Sequence, residues 1–127
     1  MDSLQKWVVE YEKYKDSVND HIESYDVKDG KIIFNTGEGV VVVRYEESLG
    51  DIEGFDYDKV ACLNTRDNLD WLIDNWEDIK GSETMFLFVN LEEKESWGVK
   101  PTIHDRITED SNLENSLEGL FESVSES

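Results

Sequence analysis

The chain has 127 residues, 31 of them acidic and 12 basic, for a formal net charge of −19. Such a charge is repelled by nucleic-acid phosphates and by anionic membrane surfaces, which argues against direct binding to either. The apolar share of 38 %, with four tryptophans, five tyrosines and five phenylalanines, excludes a disordered chain and suffices for one acidic α+β domain over residues 1–127 without a disulfide or metal staple.

The opening residues, Met1-Asp2-Ser3-Leu4-Gln5-Lys6, lead into no apolar core of a secretory signal. No apolar run approaches the length of a membrane span. A cytoplasmic location is the expectation. Over residues 3–24, Leu4, Trp7, Val8, Tyr11, Val18 and Ile22 recur at helical spacing and predict one amphipathic helix. Asp2 or Ser3 can cap it. Tyr14 and His21 fall at the edges of the apolar stripe.

Residues 25–45 read as strands. Asp29-Gly30 tolerates the positive φ of a type I′ hairpin turn. Lys31 to Asn35 is a first main strand, and Gly37-Glu38-Gly39 a second turn. Val40 to Tyr45 is β-branched and predicts a central strand buried on both faces. Residues 46–58 read as a loop with room for one helical turn. Lys59 to Asn64 is the next strand. Cys62, the single cysteine, sits in its apolar run and reads as a small core residue.

Residues 67–79 predict a second helix with Leu69, Leu72, Ile73, Trp76 and Ile79 inward, capped by Asn64, Thr65 or Asp67. Gly81 closes it. Thr84 to Leu91 is a further strand, in a strand–helix–strand passage that suits a parallel crossover. Residues 97–104 look extended, with Pro101 favouring a sheet edge. Ser111-Asn112-Leu113-Glu114 is a capping box before a third helix, on which Leu113, Leu117, Leu120, Phe121 and Val124 share one face. The prediction is an α+β fold of order α-β-β-β-α-β-(β)-α. It has a single, mostly antiparallel sheet of four to five strands and three helices.

Signatures of catalysis are sparse. There are two histidines and no Gly-x-Ser-x-Gly elbow. One cysteine and two separated histidines cannot form a structural zinc site. The loop 46–58 carries Glu46, Glu47, Asp51, Glu53, Asp56 and Asp58, but its spacing is not that of an EF-hand. The order helix, three strands, helix, strand resembles the core of the PD-(D/E)xK nucleases. That resemblance implies an acid on the second strand and an acid-x-lysine on the third, together holding Mg²⁺. The third strand here, Val60-Ala61-Cys62-Leu63-Asn64, has neither, and Asp58-Lys59 has the wrong spacing. An active nuclease is not expected. Small size, acidity, an α-β-β-β-α-β-β-α order and a closing amphipathic helix also resemble the type III secretion chaperones. That resemblance implies a dimeric binder of unfolded protein segments, and no residue role is carried over from it.

On the second helix, Asp67, Asp70, Asp74, Glu77 and Asp78 gather opposite the apolar stripe, and Trp71 projects beside them unless the third helix or the loop 92–100 covers it. A tryptophan flanked by carboxylates suits a basic or amphipathic protein segment. Glu114, Glu118 and Glu122 repeat the acidic face on the third helix. The expectation is therefore a non-enzymatic, adaptor- or chaperone-like protein-binding module without a cofactor. Asp67, Asp70, Trp71, Asp74 and Asp78 form its partner-binding set, and a homodimer is compatible with it. Two alternatives stand beside it. One is a metal-dependent hydrolase, nuclease-like in fold, using the loop carboxylates with His104, Asp105 or Arg106. The other is a nucleic-acid mimic whose carboxylate rows imitate phosphates.

Overall fold

The computed structural model describes residues 3–15, 22–37, 39–52, 57–101 and 110–126. In chain order these form α1 (Ser3–Lys15), β1 (Ile22–Lys28), β2 (Lys31–Thr36), β3 (Gly39–Tyr45), a 3₁₀ turn (Leu49–Asp51), β4 (Lys59–Leu63), α2 (Arg66–Asp74), α3 (Trp76–Ile79), β5 (Met85–Asn90), β6 (Glu95–Val99) and α4 (Asp110–Glu122).

The six strands make one open sheet in the order β1-β2-β3-β4-β5-β6. β1 to β3 are an antiparallel meander, β3, β4 and β5 run parallel, and β6 returns antiparallel along β5. The fold is α+β as expected. The sheet is mixed rather than mostly antiparallel, it has six strands rather than four to five, and four helices are described rather than three. The extra strand is β1. The first helix is described over Ser3–Lys15 and does not reach residue 24, because Ile22, counted on the helical stripe, opens a strand instead. Its pairing with β2, across the Asp29-Gly30 turn, decides that segment. Both turn residues have positive φ, 51° and 78°, as a type I′ turn requires. Val18 and His21 lie outside the described residues.

The side-chain period of two sorts the central strands between two cores. Val60, Cys62, Phe86 and Phe88 point to one face, where Leu69, Leu72, Trp76, Ile79, Leu117 and Phe121 of α2, α3 and α4 meet them. Ala61, Leu87 and Val89 point to the other, with Ile32, Phe34 and Val43, under Leu4 and Val8 of α1. Each Val, Leu, Ile or Phe among them, fully buried, contributes about 1.5–3 kcal/mol. β4 and β5 are therefore covered on both sides and form the deepest strands. β3 does not, against expectation: only Val43 is fully buried, and Val40 is 55 % exposed. Its β-branched run takes a cover on the α1 face alone.

The second predicted helix is two. Asn75 breaks it, its backbone N–H and Nδ2 both bonding to the Trp71 carbonyl, at 3.0 and 2.9 Å. α4 begins at Asp110, and the side chain of Ser111, on which the capping box rests, lies outside the described residues. β6 forms the sheet's far edge, but it takes up only 97–99 of the segment read as extended: Pro101 lies past its end rather than on the edge, and 102–104 lie outside the described residues.

Candidate functional site

α2 is fixed at its start by Thr65, whose Oγ1 accepts from the Asn68 N–H at 3.2 Å. Buried Asn68 then ties the helix to the preceding loop. Its Oδ1 accepts from Leu49 N–H, and its Nδ2 donates to the carbonyls of Glu47 and Leu63, each at 2.8 Å. With Leu69 and Leu72 in the core, the opposite side of α2 must face outward.

Asp67, Asp70 and Asp74 are exposed there, and Glu77 and Asp78 are exposed on α3. Trp71 is not. It is half-buried, packed on the core beneath α2, with its ring tilted against Phe86 at 6.1 Å between centroids. The acids of the expected partner-binding set are thus all exposed, three on α2 and Asp78 on α3, while the tryptophan among them leans into the protein.

α4 lies alongside α2 and extends the acidic surface through the exposed Glu114 and Glu122. The two cations at this surface are already engaged. Arg66 pairs with Glu118 and lies over the Phe121 ring at 4.8 Å, and Lys80 pairs with Glu77 at 2.9 Å. The Glu118 hydrogen bond holds the Arg66 guanidinium above its ordinary value. Among the described residues, Asp67, Asp70, Asp74 and Asp78 make no ion pair.

The acidic loop is less coherent. Glu46 is bound by Arg44 at 3.0 Å, and Asp58 accepts from the Val42 N–H at 2.8 Å. Glu47 and Asp51 are exposed. Glu53, Asp56 and the segment holding His104, Asp105 and Arg106 lie outside the described residues. Among the described residues, no three His, Cys, Asp or Glu side chains stand where they could share a metal ion. Cys62 is fully buried, and burial pushes its thiol well above the ordinary value. No described helix is long and apolar enough to cross a membrane.

A second surface went unread in the sequence. Trp7 and Tyr11 of α1 stack at 4.7 Å with their planes 15° apart, and Tyr14, one turn on, is 80 % exposed. With Leu91, Glu92 and Lys94 they line a groove of about 770 Å³ between α1 and the β5–β6 turn. The aromatic spacing i, i+4, i+7 was the available signal. Trp7 and Tyr11 count on the apolar stripe and Tyr14 at its edge; of the stripe's described residues, Leu4 and Val8 are the fully covered ones.

No protein-family model, curated protein or solved structure matches the chain.

Proposed function

We infer that this chain is a protein-binding module that receives a basic, amphipathic protein segment on the outer surface of α2, α3 and α4. The observation supporting this is the set of four exposed aspartates, Asp67, Asp70, Asp74 and Asp78, none of them in an ion pair among the described residues, although the Arg66 charge acts on Asp70. Exposed carboxylates outside ion pairs steer and orient a positive partner more than they hold it. The half-exposed Trp71 supplies an apolar contact within the acid field. The partner's lysines would stand over the aspartates and its apolar residues over the tryptophan.

Calorimetric titration with a lysine-rich amphipathic helical peptide tests the reading. Binding is expected to weaken steeply as salt rises, since the attraction is between exposed charges. Asp70→Lys with Asp74→Lys should abolish binding while leaving the melting temperature nearly unchanged. Equal binding by wild type and the double variant sinks the reading.

A further inference from the structure

β1 is one edge of the sheet, with β2 as its only strand neighbour among the described residues. The Asp29-Gly30 turn holds two residues, so Lys28 and Lys31 are the bonded pair that closes the hairpin. In an antiparallel ladder such pairs alternate with unbonded ones. Ser24, Asp26 and Lys28 therefore turn their peptide groups toward β2, and Tyr25 and Val27 turn theirs to the open edge. Among the described residues nothing bonds to those groups. Their side chains are also uncovered, 37 % and 40 % exposed, although Phe34 and Ile32, which they oppose on β2, are buried. The shift in register between Ile22 and Ser24 limits the regular edge to Ser24–Lys28.

A free edge of this kind accepts an extended strand, and the side chains of β1 select which. We propose that β1 receives an extended segment of another protein, running antiparallel. Apolar residues of that segment stand opposite Tyr25 and Val27, a basic residue between them opposite Asp26, and an acid opposite Lys28. Residues directly opposite share a face of the sheet. On the α1 face the segment's apolar side chains cover Tyr25 and Val27, where Lys13 over the Tyr25 ring, at 5.0 Å, already supplies a cation. On the other face, Asp26 and Lys28 are exposed and make no ion pair among the described residues, and the segment provides the opposite charges across the ladder. A second copy of β1 fits less well. The register that sets Tyr25 against Val27 places Asp26 against its own counterpart, between chains that each carry a net charge of −19.

This seat lies three strands away from β4, β5 and β6, on which α2, α3 and α4 pack, and it does not rest on the reading of that surface. Asp70→Lys with Asp74→Lys should leave it unchanged.

Residue-resolved hydrogen exchange by NMR, with the peptide Glu-Val-Lys-Val-Thr blocked at both ends, is the test. In the free protein the amides of Tyr25 and Val27 are expected to exchange fast, and those of Asp26 and Lys28 slowly. Added peptide should slow Tyr25 and Val27. Methylating both valine nitrogens, whose N–H groups bond to β1, should abolish the effect, whereas methylating the lysine nitrogen, which points away, should leave it. Val27→Pro should keep the fold, because proline is tolerated where a strand's N–H faces away from the sheet, and should weaken binding by about tenfold through the lost donor. The methylated peptides leave the protein untouched, so their comparison decides the matter even if this variant unfolds. Tyr25 and Val27 amides that stay fast at millimolar peptide overturn the proposal. So does equal binding by the two methylated peptides. Slow exchange at both amides without peptide, appearing only at high protein concentration, also overturns it, since a second copy would then hold the edge.

Discussion

The indole N–H of Trp97 donates to Oδ1 of Asn64 at 2.7 Å, inside the protein. Asn64 stands at the end of β4, and its own N–H bonds to Val89 of β5 at 2.8 Å. Its Nδ2 reaches the carbonyls of Val124 and Ser125, each at 3.1 Å, just past the end of α4. One side chain thus joins β4, β6 and the closing helix. It also satisfies carbonyls that a helix end leaves without partners. Asn90, at the end of β5, does the same for Ser125 at 2.8 Å.

Asn64→Ala would remove the partner of the buried Trp97 indole N–H and of the Val124 carbonyl, while Ser125 keeps its bond to Asn90. An expected loss of about 3 kcal/mol follows from the cost of such orphaned groups. Urea denaturation measures it. Trp97→Phe, which removes one donor and keeps most of the stacking on Phe88 at 4.3 Å, should cost less than Asn64→Ala.

Trp71→Ala is a poor probe of binding, because it also removes the packing on Phe86. About 2 kcal/mol of stability should go with it, below the range for a fully buried aromatic. Asp70→Lys, at an exposed position, should stay within about 0.5 kcal/mol of wild type. Parallel thermal melts distinguish these outcomes. Equal losses from the two variants would mean that Trp71 contributes nothing to the core.

Lys59 Nζ lies 2.6 Å from Glu12 Oε1, tying β4 to α1, and both side chains are mostly covered. Lys59→Met leaves Glu12 covered and unpaired, and should cost about 3 kcal/mol. Glu12→Leu with Lys59→Met should recover most of that loss, since an apolar pair of similar size replaces the ionic one. A double-mutant cycle on denaturant midpoints reads the coupling.

Cys62 predicts an alkaline limit. In the unfolded chain the thiol ionises near about 8.5, whereas burial raises it well above the ordinary value in the fold. Below that pH both states keep the proton, and the thiol adds no pH dependence. Above it only the unfolded chain releases the proton. Stability should then fall by about 1.4 kcal/mol per pH unit until the folded thiol ionises as well. Cys62→Ala should flatten this stretch. The comparison is a series of denaturation curves for both proteins from neutral pH upward.

Local chemistry was readable where one or two residues settle it. The Asp29-Gly30 turn, the Thr65 cap, the single turn within 46–58 and the β4–α2–β5 passage belong here. β1 was legible only in part. Its apolar residues, Tyr25 and Val27, remain exposed, so no buried stripe marked the strand, and β2 supplies the pairing that forms it. Asn68 and Asn90 gave no sign of their roles, because their partners include backbone groups brought near by the fold; Asn64 counts in the sequence only as a cap candidate, a place Thr65 takes, and its own partners, the Trp97 indole and carbonyls past α4, are likewise distant in the chain. The aspartates of α2 were placed outward correctly from helical spacing. For Trp71 the spacing leaves two places open, beside the acids or under a neighbouring element; its half-buried packing on Phe86 lies outside a helical projection.

Every strand of the sheet is paired with the strand next to it in the chain. No strand has to be inserted between two already joined, so the sheet can grow from β1 to β6 in the order of synthesis, and its loop-closure cost stays low at each step. The exception is α1, which precedes the strands that seat it, β3 and β4. Until those strands are made, Leu4 and Val8, fully covered in the fold, have nothing to pack on, so α1 waits on the ribosome with its apolar side open.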